Sequence, residues 1–385
     1  MPARDLVVYC AAVTWDDVPG TDVNLVKALR RSVDVLWVDP PQSLAQQLRA
    51  RVSGSSDAGP PPAGRHGDRL TIVGPPGPTR AGIRRLTAWQ SRRTVAAALR
   101  EDGRRPVGMV VSTPEPWVGR LPGVPYLYFA TDDYAAGAAL MQYNAAVLAR
   151  AETQQLRVAD RAAAVSAAIL ERWDVGDRAF LLPNGCDVEH YAAIDSAPWP
   201  LDVWLPGPRA GVVGQLSSRL DLSLLEAVVD TGVALLLVGP WVEGFENERV
   251  SRLLSRPNVE WVGRKRYDDL PSYLRTIDVG LTPYADTEFN RASDPLKTLE
   301  YLAAGRPVVS TPLPAVDRLS SPDVVTAATP GEFAAATVAL LDEAAAGARG
   351  SQRARETARL HSWDARADQV LAALLEHDAT PAREG

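Results

Sequence analysis

Residues 293–311 read SDPLKTLEYLAAGRPVVST. Ser293 or Asp294 is suited to cap a helix, and Pro295 suits the first helical position. Lys297 then falls in the first turn, beside unpaired N–H groups and the positive dipole end. That is a ready anion site, of a size for a diphosphate. Glu300 follows three residues on and shares a face with Lys297. A carboxylate there accepts hydrogen bonds from vicinal hydroxyls such as those of a ribose. Gly305 ends the helix, and Arg306-Pro307 leads into the apolar strand Val308–Ser310. The alternative for such a pair is a solvated Lys/Glu bridge on a helix surface. Ahead of this segment, Val279–Leu281 reads as a strand, so the unit is strand, helix, strand.

The same alternation runs outward in both directions. Strands are expected at Leu6–Val13, Val33–Val38, Leu70–Val73, Val107–Ser112, Tyr126–Ala130, Ala163–Ser166 and Phe180–Leu182. Helices are expected at Val23–Arg31 and Met141–Ala159. Ser53–Gly67, rich in Gly, Pro and Ser, reads as a loop. Residues 195–209, with four prolines and two tryptophans, read as a linker. Beyond it come strands at Ala210–Val213, Ala234–Val238, Val259–Val262 and Val279–Leu281, with a helix at Leu222–Val229. A last helix, Ala354–Glu376, is interrupted near His361-Ser362-Trp363. Short Val-rich strands between helices imply parallel sheets with crossover helices. The expected division is 1–194, a linker 195–209, 210–355, and a C-terminal helix and tail 356–385.

Pro295, Lys297, Glu300, Tyr301, Ala303, Gly305, Pro307, Val308 and Val309 follow the pattern P-x-K-x-x-E-Y-x-A-x-G-x-P-V-V. This segment resembles the donor site of nucleotide-sugar-dependent GT-B glycosyltransferases, of the bacterial polysaccharide or teichuronic-acid type. The resemblance implies two Rossmann-like parallel-sheet domains facing a cleft, with the C-terminal helix crossing back to the first. It implies sugar transfer from a nucleotide-diphosphate sugar, a UDP-sugar being favoured, to a polysaccharide, lipid-linked or small-molecule acceptor. No cofactor is implied. Other segments fit in order: Gly211–Ser217 as first strand and turn, Leu235–Pro240 as second, Val259–Arg264 as the strand before the base loop, and Pro183-Asn184-Gly185 as the turn closing the first domain. Carried over residue by residue, donor contacts fall on Gly214, Arg219, Gly239, Arg264, Asp294, Lys297 and Glu300. Many retaining members carry a second glutamate, with seven residues between it and the first. Here that position is Ala292, which points toward inversion.

Inversion needs a base on the acceptor side. Asp132-Asp133 follows the strand Tyr126–Ala130 at the edge where ligands bind parallel sheets; Asp132 is the preferred of the two. The other reading is a helix cap with a solvated neighbour. Asp16-Asp17, near Gly20, is a second acceptor-side candidate, or loop surface. No Asp-x-Asp triplet occurs, so Lys297, Arg219 and the helix end are expected to meet the leaving-group charge without a metal.

The net charge of −6 argues against nucleic acid as a partner. Two cysteines, Cys10 and Cys186, form no disulfide framework or metal spacing and fit a reduced, cytoplasmic protein. The N-terminus reads as a strand, not a signal peptide, and no apolar run reaches the length of a membrane span. His66, His190, His361 and His377 show no ligand spacing. Ten arginines against three acids lie between Arg65 and Arg105, an expected site of peripheral membrane contact at the inner face, or a solvated face. Three rival readings are weighed. A dehydrogenase lacks its glycine spacing at Gly211 and Gly214. A nucleotide-sugar 2-epimerase and a non-catalytic nucleotide-sugar-binding protein share the donor site, and turnover separates them.

Overall fold

The computed structural model describes residues 4–16, 19–43, 64–74, 83–138, 143–192, 194–242, 244–346 and 351–376. The chain divides into two compact units, Met1–Pro183 with Trp363–Gly385, and Asn184–Ser362. The first boundary falls earlier than the expected 194. The reason lies in packing: Tyr191 and Ile194 are fully buried in the core of the second unit. Asn184 is bound there too, through Asp294. The expected linker also belongs to this unit, its backbone clamped by Glu260 and Arg275. The last helix is broken where the sequence suggested, near His361-Ser362-Trp363, into Gln352–Leu360 in the second unit and Trp363–Leu375 in the first.

The first unit holds β1 (Leu6–Cys10), β2 (Asp34–Val38), β3 (Gln42–Ser43), β4 (Gly64–His66), β5 (Arg69–Thr71), β6 (Val73–Gly74), β7 (Gly108–Val111), β8 (Tyr126–Ala130), β9 (Arg161–Ala164) and β10 (Ala179–Leu181). Eight of them form one sheet in the order β10-β9-β8-β7-β1-β2-β5-β4. All pairs are parallel except β4 with β5, so residues 64–66, expected as loop, are an edge strand. β1 is buried throughout, as a parallel strand covered on both faces must be. It ends at Cys10 rather than Val13 because the Ala12 N–H leaves the ladder for side chains, Asp22 Oδ2 and Ser112 Oγ, each at 3.0 Å. β9 ends before Ser166, which instead caps the helix Ala167–Glu171. Asn144 caps Ala145–Val158; the expected start at Met141 lies outside the described residues. The returning helix Trp363–Leu375 packs on the helix Thr21–Ser32 and comes so close to β7 that a Cβ at Gly108 would sit 2.6 Å from Leu374.

The second unit is a six-stranded, all-parallel sheet: β11 (Arg209–Val213), β12 (Ala234–Val238), β13 (Val259–Trp261), β14 (Val279–Thr282), β15 (Val308–Ser310) and β16 (Val324–Thr326), in the order β13-β12-β11-β14-β15-β16. The chain works outward from β11 to one edge, then returns and works outward from β14. In such sheets ligands bind at the carboxyl ends of the two strands where the order reverses. The helix Pro330–Ala345, missed in the sequence, opens with a capping box of Thr329 and Glu332.

At the reversal, β11 pairs with β14 only at Ala210 and Gly211. Beyond that the Tyr301 hydroxyl replaces the ladder: Val213 N–H donates to it at 2.7 Å, and it donates to the Gly211 carbonyl at 3.1 Å. Its ring lies over Gly280, where a Cβ would come within 2.3 Å. Tyr301 thus fixes the helix Leu296–Ala303 to both central strands. Tyr301→Phe should destabilise the second unit by about 1–3 kcal/mol, because a buried N–H loses its acceptor. Denaturant unfolding reads this, and an unchanged midpoint would remove the role.

Candidate functional site

The turns after β11 and β12 meet at the carboxyl edge of the second sheet. Gly214 and Gly239 both have positive φ, +153° and +145°. A Cβ at Gly239 would lie 1.9 Å from the Gly214 carbonyl oxygen, so only glycine lets the two turns touch. Trp261 Nε1 donates to the Gly239 carbonyl at 2.8 Å and holds the second turn.

The helix Leu296–Ala303 starts at this edge. Its cap is Pro295, and no side chain caps it. Ser293 and Asp294 therefore do not cap as expected. The Asp294 carboxylate instead accepts from Asn184 N–H and Arg318, both at 2.7 Å. It is buried, and it ties the segment after Pro183 to the start of this helix. The first turn of that helix keeps its N–H groups without a capping side chain, an arrangement that favours an anion.

Lys297 Nζ donates to Glu300 Oε2 at 2.7 Å. This pair is not a solvated surface bridge: the Glu300 side chain is 10% exposed and that of Lys297 27%. The Lys297 stem also passes the Gly214 turn, since a Cβ there would lie 3.9 Å from its Cε. Glu300 is enclosed by Cys186, Tyr191 and Tyr267. Burial first, then the Glu300 charge, pushes all three well above their ordinary values. A carboxylate so enclosed has lost much of its water and depends on Lys297 for compensation. His190, expected to be a packing or surface residue, stacks on Tyr267 at 4.2 Å. None of these three neighbours was legible as part of the site, because they arrive from segments far from the motif.

Arg219 lies on the other side of β14's end. Its Nε donates to Asn290 Oδ1 at 3.0 Å, and its guanidinium lies over Phe289 and Tyr284. Asn290 also binds the Arg219 carbonyl. The arginine is held by neutral groups and makes no ion pair among the described residues. Arg264 is exposed after β13, with no side-chain partner found among the described residues.

In the first unit the two adjacent acids separate. Asp133 is fully buried; its carboxylate accepts from Ala136 N–H and pairs with Arg172. Asp132 is half-buried. Asp16 pairs with Arg69 at 2.8 Å, which also binds Asp39; Asp17 lies outside the described residues. Gly20 is the cap residue of the helix Thr21–Ser32, in ordinary extended backbone. The reversal point of this sheet, between β1 and β7, is occupied by an acid the sequence reading passed over. Asp22 accepts from Tyr9 Oη at 2.9 Å and Ser112 Oγ at 2.9 Å, besides Ala12 N–H. Burial is the main cause of its raised pKa, against those hydrogen bonds. Tyr134 joins through the Ser112 carbonyl and Thr131. The only signal was position, one residue into the helix after the first strand.

Comparison with known proteins bears on the second unit most directly. Residues 209–343 match the family model described as glycosyl transferases group 1. Over 206 residues the chain is 32% identical to the putative teichuronic acid biosynthesis glycosyltransferase TuaH of Bacillus subtilis (strain 168). That match spans 51% of this chain and 50% of the relative's length. Solved structures match over nearly the whole chain. Sucrose-phosphate synthase from Thermosynechococcus elongatus gives a TM-score of 0.72 at 19% identity, covering 98% of this chain and 100% of the other. A structure described as trehalose-6-phosphate from E. coli bound with UDP-2-fluoro glucose gives 0.68 at 13%, covering 97% and 99%. Anabaena Alr3699/HepE in complex with UDP and glucose gives 0.63 at 15%, covering 96% and 99%. At these identities the likeness is one of fold, two parallel-sheet α/β units of the GT-B kind.

The burial of Asp133 separates it from Asp132 experimentally. Asp133→Asn should cost about 2 kcal/mol of stability, through loss of charged hydrogen bonds to Arg172 and Ala136. Asp132→Asn should leave the unfolding midpoint nearly unchanged. Equal losses in the two variants would contradict this division.

Proposed function

We propose that this chain, which carries a glycosyl transferases group 1 domain over residues 209–343, moves a sugar from a nucleotide-diphosphate sugar to an acceptor hydroxyl. One observation carries the reading. An uncapped helix start, a lysine in its first turn and an enclosed glutamate one turn on stand together at the reversal point of a parallel sheet. That arrangement offers a place for a diphosphate beside a place for the ribose hydroxyls.

In this reading the ribose hydroxyls donate to Glu300. Lys297 Nζ, now paired with Glu300, is shared with the diphosphate. Arg219, free of carboxylates, adds a second cation near the glycine turns. The acceptor hydroxyl attacks the anomeric carbon as its proton passes to Asp132. The bond from that carbon to the diphosphate breaks, and the negative charge on the leaving oxygen is met by Lys297 and the helix N–H groups. Asp133 serves by holding Arg172, not by taking the proton. With Ala292 in place of a second glutamate, inversion is the proposed outcome. UDP is the proposed nucleotide, because structures described as complexes with UDP or a UDP-sugar share this fold. A sugar acceptor accords with the teichuronic acid relative.

A thermal-shift screen against UDP, GDP, dTDP and their common sugars, repeated on Glu300→Ala, tests the donor site. UDP or a UDP-sugar should raise the midpoint of the native protein, more so the further its concentration exceeds Kd, and the shift should vanish in the variant. A shift that survives in Glu300→Ala would remove the ribose role.

Lys297→Ala should lower kcat by about 10²–10³, since the leaving-group charge develops only in the transition state. An effect on KM alone would contradict that. The same assay in excess EDTA should show undiminished transfer. Asp132→Asn should abolish transfer while donor binding persists. A product formed with no acceptor present would mean epimerisation, and binding without turnover a non-catalytic protein.

A further inference from the structure

The helix Arg84–Asp102 in the first unit presents an outer face with no use in the reading above. Thr87, Ser91, Val95 and Ala98 face inward and are buried. Arg84 is taken by Glu115, which fixes the start of the helix. Opposite lie Leu86, Trp89, Arg93 and Arg100, at helical spacings of three, four and seven, with Arg85 and Arg92 on the flank. Leu86 is 53% exposed and Trp89 55%. The Arg93 guanidinium lies 4.9 Å from the centre of the Trp89 ring. Arg85, Arg92, Arg93 and Arg100 make no ion pair among the described residues, and no acid occurs from Arg84 to Arg100.

We propose that this face docks the protein on an anionic lipid surface. Charge complementarity is joined on this face to an apolar tip. The whole chain carries −6, so a negative surface repels it unless cations are gathered locally. Here four exposed arginines are gathered on one helix, without the carboxylates that neutralise arginines elsewhere in this unit, such as Arg69, Arg104 and Arg120. Clustered arginines on such a helix attract anionic headgroups. Leu86 and Trp89 are the kinds of side chain that enter the boundary between headgroups and acyl chains. The helix lies along the surface in this proposal. No helix among the described residues is long and apolar enough to cross a membrane.

The test is co-sedimentation of the full chain with vesicles of phosphatidylcholine alone, or mixed with phosphatidylglycerol. Binding to the mixed vesicles only, weakened by salt, is expected. The variant R85Q/R93Q/R100Q should bind on the order of a hundredfold more weakly, at about fivefold per arginine. L86S/W89S, which leaves every charge in place, should also weaken binding. These side chains are exposed, so both variants should keep the native unfolding midpoint, and each variant tests the face independently. Equal sedimentation with neutral vesicles, or no change in either variant, overturns the proposal. So does a wild-type dimer, seen by light scattering, that L86S/W89S splits while vesicle binding stays the same. Neither donor binding nor transfer enters the readout, so failure of the proposed activity would leave the vesicle result standing.

Discussion

A single hydroxyl closes the seam on which the second unit depends. Where β11 and β14 stop pairing, Tyr301 accepts from Val213 and donates to Gly211. A parallel sheet whose order reverses must part at that seam, and its freed backbone groups then need partners. The helix Leu296–Ala303 brings its own plug, satisfies them and is fixed in place by the same bonds. Gly280 is required because the ring must lie on the strand. The rotation of the helix follows, and with it the positions of Lys297 and Glu300. Burial strengthens the arrangement: Leu299, Leu302 and Ala303 lie in the core beside Tyr301, each large side chain contributing about 1.5–3 kcal/mol.

Around this seam the site is assembled from distant stretches of chain. Asn184 and Asp294 join the turn after Pro183 to the start of the helix Leu296–Ala303. Cys186, Tyr191 and Tyr267 enclose Glu300. The turns at 214 and 239 touch because Gly239 has no side chain to strike the Gly214 carbonyl. Each is a contact between segments tens of residues apart.

The first unit shows how burial sorts groups of one chemical type. Asp133 lies against Arg172 and is closed to solvent, whereas its neighbour Asp132 is half-buried. Asp22 lies at the reversal of the first sheet and organises the loop after β1 by accepting from Ala12, Tyr9 and Ser112. Three carboxylates at one sheet edge therefore have three surroundings. Residue type alone does not distinguish them.

The fold class and the helix Leu296–Ala303 were legible in the order of residues along the chain. Both follow from local rules: short apolar strands alternating with helices, and glycine after the helix. Lys297 and Glu300 were legible because their spacing on one helix is itself local. Tertiary structure alone decided where the units divide, for Tyr191 and Ile194 look like linker-edge residues until the core that buries them exists. It alone moved Asp294 from helix cap to interior clamp, divided the last two helices between the units, and buried Asp133 while leaving Asp132 half-buried. It also revealed Tyr301 as the seam's plug, although the residue itself stood within the motif. The physical reason is the same in each case. Hydrogen-bond partners and burial are properties of segments brought together by folding, and spacing along the chain carries no record of them.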